Sequence, residues 1–356
     1  MKLIPPYPII RQKRKSRKNK LRHVGKVLGF AMLFIAVIFS FPRILALHID
    51  QERQQAVSAI PSQFPVTVNP QDKTIAENAQ VDALFENTRP SLQAAVGNTG
   101  SAFWKVFAWI AETISEAPEY QAIAGVAGID NRIITITPGM RKEQAASVFG
   151  DALGWDKKQE QAFITTGEYA SLPLPEGSFE PGIYLIDAGT TPAEAQEMVN
   201  QRFSEDILSH YGTTTAQIVP LDEALTVASL IQREASGQTD MRIISGIIWN
   251  RLFAGMNLQI DATVQYAEAN KETAGSWWPA VLPKDIFIKS PYNTYLNPGL
   301  PPTPIANPSV AAVLAALNPV NTPCFYYFHD KMGQFHCSDT YAEHVALLKK
   351  YYGQGK

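Results

Sequence analysis

The stretch Leu221-Asp222-Glu223-Ala224-Leu225-Thr226-Val227-Ala228-Ser229-Leu230-Ile231-Gln232-Arg233-Glu234 is the place to begin reading this chain. Asp222 is a good N-cap, and Val227, Leu230, Ile231 and Glu234 recur at helical spacing, so a helix is predicted whose apolar stripe ends in a carboxylate. By position alone, a glutamate at the end of a helix is most often a solvated surface charge. Its alignment with the stripe argues otherwise. An acid that loses solvation of its charged form has its pKa raised toward neutrality, which is what a general acid requires. Downstream, Thr239 or Asp240 is expected to open a second helix with Ile243, Ile244, Ile247, Ile248 and Leu252 facing a core and Gly255 as its stop. Asn307-Pro308 reads as a cap and first-turn proline for a helix to Leu317, and Cys324 to Ser338 reads as a hairpin turning at Asp330 to Gly333.

Between these elements lie two polar groups. The first is Asn250-Arg251 with Gly255-Met256-Asn257-Leu258-Gln259-Ile260-Asp261-Ala262-Thr263-Val264-Gln265-Tyr266, where Asp261 reads equally as an N-cap and as a residue in contact with substrate. The second is Ser290-Pro291-Tyr292-Asn293-Thr294-Tyr295, leading into the proline-rich Gly299 to Ala306. Prolines fix that backbone while the tyrosines, Asn293 and Thr294 offer flat faces and hydrogen bonds suited to a sugar chain; the plainer reading is a rigid structural loop. His329, His336, His344, Cys324 and Cys337 lack metal-ligand spacing, and no phosphate loop, nucleophile elbow or dinucleotide fingerprint is present, so neither a metal nor a cofactor is expected. The two cysteines flank the hairpin, where a bridge and two free thiols stand as even alternatives.

The chain is 356 residues long, more than one domain's worth, and its net charge of −2 hides an asymmetry. Ten Lys or Arg lie between Lys2 and Lys26, and no acidic residue precedes Asp50. Taking those ten and Arg43 from the 31 basic residues leaves 20 against 33 acidic ones, a net of −13 for the rest. Basic residues gathered in one tail, away from the folded part, argue against a nucleic-acid partner. Residues 1–26 are therefore expected as a cytoplasmic tail and 27–47 as a single transmembrane helix, flanked by Lys26 and Arg43, with everything beyond Leu47 outside the cytoplasm. Cleavage as a secretory signal is the competing reading of that run. Residues 48–130 read as a polar stalk carrying an amphipathic helix at Phe103, Val106, Phe107, Ile110 and Ile114. Residues 131–215 alternate strand and helix, with a helix over Lys142 to Leu153 and another that Thr191 caps and that runs to about Tyr211; this makes a small α+β module suited to binding. Residues 220–356 form the mixed α/β unit where the chemistry should lie, so the fold class is α+β throughout.

Ala228-Ser229-Leu230-Ile231-Gln232-Arg233-Glu234, Asn250-Arg251-Leu252, Gly255 to Tyr266, Ser290 to Tyr295 and Gly299 to Ile305 together resemble the endolytic murein transglycosylases, the membrane-bound lytic transglycosylase G (YceG-like) family. The likeness is strong over Leu221 to Tyr352, weaker over Ile133 to Tyr211, which is similar to that family's LysM-like module, and the N-terminal anchor fits the same layout. The resemblance implies a peptidoglycan lyase of the cytoplasmic membrane, with its N-terminus inside and its catalytic domain outside. Such an enzyme cleaves between N-acetylmuramic acid and N-acetylglucosamine without water, leaves 1,6-anhydro ends, and acts on nascent strands. It implies Glu234 as the catalytic residue, with Asn250, Gln259, Asp261, Tyr292, Asn293 and Tyr295 lining the saccharide groove or holding its walls. Glycan strands and the membrane are the implied partners, with cell-wall synthases as further candidates. Gln232 stands where some relatives carry another acid, Cys337 where they tend to have an aromatic residue, and His344 matches a familiar histidine. Two other functions fit the residues: a muramidase-type hydrolase with Glu234 as acid and Asp261 as base, and a non-catalytic peptidoglycan-binding scaffold.

Overall fold

The computed structural model of the chain describes residues 61–79, 81–83, 85, 131–165, 175–269 and 276–353, with isolated positions at 44, 47, 51 and 54. The basic tail, the body of the expected 27–47 span and the amphipathic helix over 103–114 lie outside the described residues. Among the described residues, no helix is long and apolar enough to cross a membrane.

The first described segment corrects the expected stalk. A two-stranded hairpin, β1 (Val68–Asn69) and β2 (Thr74–Ile75), lies against the C-terminal domain, with Phe64 and Val68 buried in that domain's core. The Thr67 amide donates to the Leu317 carbonyl at 3.0 Å, and Asn318 Nδ2 donates to the Pro65 carbonyl at 2.8 Å. Phe64, Val66 and Val68 alternate with a period of two, an extended pattern too short and too interrupted by proline to stand out from a polar background.

The module follows. Strand β3 (Asn131–Ile136), helices α1 (Lys142–Leu153) and α2 (Lys157–Ile164), and strand β4 (Gly182–Asp187) run in that order, β3 pairing antiparallel with β4 so that Ile134 faces Tyr184. Alternation puts Ile134, Ile136, Tyr184 and Ile186 on the covered face, where α1 brings Ala145, Ala146 and Phe149 and α2 brings Phe163. The Phe149 and Phe163 rings stack at 4.7 Å. Helix α1 ends at Gly154, whose left-handed φ of 69° supplies the cap. Helix α3 (Pro192–Asp206) starts at Thr191, the cap that its sequence predicts, and the structure adds a capping box with Glu194. It stops short of Tyr211, because Ile207 turns into the core of the next domain and the chain tightens into a 3-10 turn over Leu208–His210 before α4 (Thr213–Ile218).

In the C-terminal domain, α5 (Leu221–Glu234), α6 (Gln238–Phe253), α7 (Asp261–Ala269) and α8 (Val310–Leu317) precede the hairpin β5 (Tyr326–His329) and β6 (Phe335–Ser338) and the final helix α9 (Tyr341–Tyr352). Helix α8, Val-Ala-Ala-Val-Leu-Ala-Ala-Leu, is apolar on every side and buried throughout; α5 and α6 pack on it, and Trp249 Nε1 donates to the Ala316 carbonyl at 2.9 Å. Three helix starts differ from the sequence reading. Helix α5 begins one residue before Asp222, which lies in the first turn and makes no cap. Helix α6 begins at Gln238, with Asp240 accepting from the Ser236 and Gly237 amides. Helix α8 is capped by Ser309, because Asn307 is committed elsewhere. Cys324 and Cys337 form a disulfide with Cα atoms 5.8 Å apart, closing the hairpin's ends.

Asn307 joins the module to the domain. Its Oδ1 accepts from the Gly177 and Phe179 amides at 3.0 and 2.9 Å, while Nδ2 donates to the Met140 carbonyl and to Glu176 Oε1 at 2.9 and 3.2 Å. Its backbone exchanges two 2.8 Å hydrogen bonds with Gly139 and Met140. Beside it, the fully buried Arg141 stacks its guanidinium 3.9 Å above the Tyr266 ring. Burial pushes the Glu176 carboxyl up to about 8, with repulsion from Glu143 adding to it.

One packing contact decides a sign. Alanine in place of a helical glycine ordinarily stabilises by about 1 kcal/mol. At Gly246 in α6, an added Cβ would lie 2.2 Å from the Val320 carbonyl oxygen. Gly246→Ala is therefore expected to destabilise the protein by about 1–3 kcal/mol, read as a lowered midpoint in thermal unfolding; a raised midpoint would refute the close approach.

Candidate functional site

Glu234 is the last residue of α5, half-buried, at the end of the helix where the macrodipole disfavours negative charge. Two donors meet its carboxylate: Tyr327 Oη from β5, at 2.7 Å from Oε2, and the Ala262 amide in the first turn of α7. Burial holds its pKa above the ordinary glutamate value and the nearby Asp261 charge adds to that; the Tyr327 and Ala262 hydrogen bonds and His329 pull the other way without cancelling it. Burial together with the Glu234 charge likewise holds the Tyr327 hydroxyl well above its usual range, so it stays a donor.

Tyr327 and His329 are two residues apart on β5 and so share a face. His329 Nε2 lies 2.6 Å from Asp240 Oδ2, and Asp240 also accepts from the Ser236 and Gly237 amides, so one carboxylate ties the α5–α6 turn to the hairpin. Arg251 completes the support. Its Nε donates to the Phe325 carbonyl at 2.7 Å and its Nη1 to the Leu258 carbonyl, joining the start of the hairpin to the approach of α7. Sequence reasoning missed Tyr327, His329 and Asp240 as site residues. Alternation in Tyr326-Tyr327-Phe328-His329 pairs Tyr327 with His329 on one face, but nothing local says that this face meets Glu234.

The six expected groove residues divide. Asn250 Nδ2 donates to the Thr322 and Cys324 carbonyls at 2.7 and 3.1 Å, and fully buried Asn293 donates to the Ile286 and Ile288 carbonyls at 2.9 Å each. Both side chains therefore hold walls, with their donors spent on main chain. Tyr295 Oη donates to Asp261 Oδ1 at 2.6 Å, so Asp261, which is exposed, contacts both the tyrosine and, electrostatically, Glu234. Exposed Gln259 adopts a left-handed φ of 53°, a conformation that costs a non-glycine residue about 1–3 kcal/mol and clusters at functional sites. Thr294 holds it there, accepting from the Gln259 amide with its carbonyl and from the Ile260 amide with Oγ1, at 3.1 and 3.0 Å. Tyr292 lies 4.8 Å from the Tyr266 ring, its hydroxyl 2.9 Å from Thr303 Oγ1. Glu234, Asp261 and Tyr295 are thus brought together, with Gln259 two residues from Asp261.

The model of the YceG-like family matches residues 110–350, spanning both the module and the C-terminal domain. The chain belongs to the YceG-like family. Two curated relatives carry the name endolytic murein transglycosylase. That of Bacillus subtilis (strain 168) is 32% identical over 240 residues, 61% of this chain and 64% of the relative. That of Streptococcus pneumoniae serotype 2 (strain D39) is 28% identical over 222 residues, 55% of this chain and 40% of the relative. The chain therefore spans less than two thirds of either relative's length. In fold, it is similar to the crystal structure of a yceG-like protein of Listeria monocytogenes, with a TM-score of 0.51 and 22% identity over 80% of this chain and 97% of that one.

In this YceG-like chain, Gln232 has a definite duty. Its Oε1 accepts from the Ser309 amide and hydroxyl at 3.1 and 2.8 Å, bracing the start of α8 against the last turn of α5. His344 packs against Tyr326 and Phe328 at 5.5 and 5.8 Å, and burial lowers its pKa. His336 pairs with Asp330 at 2.9 Å within the hairpin turn. Among the described residues, no group of three or more His, Cys, Asp or Glu side chains could hold a metal ion.

Two measurements follow from the raised Glu234 pKa. Tyr327→Phe deletes a hydrogen bond to the charged form, so the carboxyl's titration, followed by carbon NMR, is expected to move up by about one to two pH units; an unchanged or lowered midpoint would contradict the contact. The second is thermodynamic. With the folded pKa above the unfolded one, this group's full stability is present below the ordinary value of 4.5 and is lost as pH rises through the raised folded value. Glu234→Gln, which cannot ionise, is expected to have an unfolding temperature that rises relative to the parent across that window. A difference that stays flat would show that the carboxylate is as well solvated as in the unfolded chain, and one that falls with rising pH would show that the fold favours its charged form.

Proposed function

We propose that this chain is a lytic transglycosylase that cuts peptidoglycan glycan strands internally, between N-acetylmuramic acid and N-acetylglucosamine, and leaves 1,6-anhydro-muramoyl ends on nascent strands. The observation that carries the reading is one shielded carboxyl, Glu234, whose pKa burial raises above the ordinary glutamate value and which Tyr327 and the start of α7 orient. Since Tyr327 donates to Oε2, the acidic proton is favoured on Oε1. Glu234 gives that proton to the glycosidic oxygen as the bond from muramoyl C1 breaks. The resulting carboxylate then takes the proton of the same sugar's C6 hydroxyl as its oxygen bonds to C1. One proton leaves and one returns, no water is consumed, and the ring itself holds the nucleophile close. This needs one acid–base group, where hydrolysis ordinarily needs two carboxylates.

Several observations support the wider setting. The names of the relatives support murein as the substrate. The β3-α1-α2-β4 order supports a LysM-like, glycan-binding module. The Cys324–Cys337 disulfide supports an oxidising compartment and, with the charge asymmetry, a single anchor at 27–47 with its N-terminus in the cytoplasm and the body outside. Glycan strands and the cytoplasmic membrane are then its partners, with cell-wall synthases beside it. A second reading, a hydrolase with Asp261 as base, draws on the electrostatic coupling of Asp261 to Glu234.

Mass spectrometry of the muropeptides released from purified peptidoglycan separates the readings. Anhydro-terminated fragments are expected, and reducing muramic ends would favour the hydrolase. Glu234→Gln is expected to lower cleavage by a factor of about 10²–10⁴ or more while leaving binding to sacculi intact. Undiminished cleavage would remove Glu234 from the chemistry.

A further inference from the structure

Among the described arginines, Arg233 stands apart. Arg141 bonds the Tyr266 carbonyl and lies 3.8 Å from Glu143; Arg202 bonds the Ile183 carbonyl and pairs with Asp206; Arg242 pairs with Asp82 at 2.9 Å; Arg251 bonds the Phe325, Asn257 and Leu258 carbonyls. Arg132 has a partner as well. Arg233 has no hydrogen bond or ion pair within the described protein, and its Nε is buried without an acceptor. What it has is a stacking surface: the guanidinium carbon sits 3.9 Å above the Trp278 ring. That ring is fixed by its own Nε1–H, which donates to Gln144 Oε1 of α1 at 3.0 Å. The Pro138-Gly139 turn of the module also packs against it, so that a Cβ on Gly139 would lie 3.2 Å from Arg233 Nη1.

Stacking occupies the face of a guanidinium and leaves its N–H donors, which lie in the plane, unfilled. A half-buried cation with unfilled donors is costly unless an anion completes it, and the stack offsets only part of that cost. Burial accordingly pulls the Arg233 pKa down. Among the described residues, the one acid electrostatically coupled to it, Glu234, has its carboxylate engaged by Tyr327 and the Ala262 amide.

We propose that Arg233, held flat on Trp278, is a subsite for a carboxylate on the muramoyl substituent of the glycan strand. The inference rests on the lytic reading of Glu234, its neighbour in the chain, and names what part of the substrate is gripped beside the scissile bond. Muramic acid carries its acidic groups on the lactyl ether at C3, on the same sugar whose C1 bond breaks. The free lactyl carboxylate presents the charge where the stem peptide has been removed, and the carboxylates of the stem present it where the peptide remains. Either suits a planar fork that accepts a carboxylate edge to edge. The site also lies where the module meets the catalytic helix, so a bound substituent would touch both.

The experiment compares the full chain with its Arg233→Gln and Arg233→Lys variants on three preparations: stem-bearing strands, strands stripped by an amidase, and stem-bearing strands whose carboxylates have been amidated with carbodiimide and ammonia. KM is expected to rise about tenfold to hundredfold for Arg233→Gln, with kcat kept within twofold, on the preparation that presents the engaged carboxylate, and to equal the wild-type value on amidated strands. Arg233→Lys, which keeps charge and bulk but not the fork, is expected to fall between. A loss confined to stem-bearing strands assigns the stem; a loss on stripped strands assigns the lactyl group. The same loss on amidated strands, or no loss on any preparation, overturns the proposal. Strand binding is measured as well in the Glu234→Gln background, where nothing turns over. Failure to find anhydro ends with the wild type sinks the lytic reading and leaves that binding comparison standing, whereas carboxylate-independent binding sinks the subsite alone.

Discussion

A carboxyl group placed at the C-terminal end of a buried helix is the constraint around which this structure is arranged. Desolvation and the helix dipole both oppose its charge at Glu234 and favour the neutral acid. The amide at the start of α7, the Tyr327 hydroxyl and the charge of His329 act against that. The group is left raised in pKa yet solvated by fixed donors, so that both its protonated and ionised forms are accommodated. That balance is what acid–base exchange at one site demands.

Three chain segments must meet for the balance to exist, and much of the domain's polar structure serves that meeting. Arg251 and Asn250 fasten the end of α6 to the entry of the hairpin; Asp240 fastens the α5–α6 turn to His329; Gln232 fastens the last turn of α5 to α8. The disulfide closes the hairpin that carries Tyr327. Beneath them, the wholly apolar α8 gives α5 and α6 a common surface. The small module is held in the same way, by a domain asparagine that satisfies the module's Gly177 and Phe179 amides and Met140 carbonyl, and by a buried arginine stacked on Tyr266. A buried polar seam with its members paired fixes one orientation more sharply than apolar contact alone. It brings α1 to the residue next to Glu234, by way of Trp278.

Where the sequence misled, the reasons are physical. A stalk was expected around Phe64 because three apolar residues among prolines cannot announce a strand, yet the core of a distant domain supplies their partners. Asn307 looked like a helix cap because Asn-Pro is a local signal, and a tertiary claim on its side chain passed the cap to Ser309. For Asn250 and Asn293 the resemblance left open whether they line the groove or hold its walls, and folding decides it by bringing near the main-chain carbonyls on which their donors are spent.

What the sequence by itself determined is local: the bounds of α1, the Thr191 cap of α3, the position of the hairpin, and an acid in register with an apolar stripe. These follow from periodicity and capping, which involve residues a few positions apart. Only the tertiary structure decided which hydroxyl and which amide would meet that acid, and which of the described arginines would be left without a hydrogen-bond partner among the described residues. Tyr327 and Glu234 are 93 residues apart, and strand alternation can pair Tyr327 with His329 on one face without saying what that face will touch. The packing of buried surfaces makes that choice, and it is made nowhere along the chain alone.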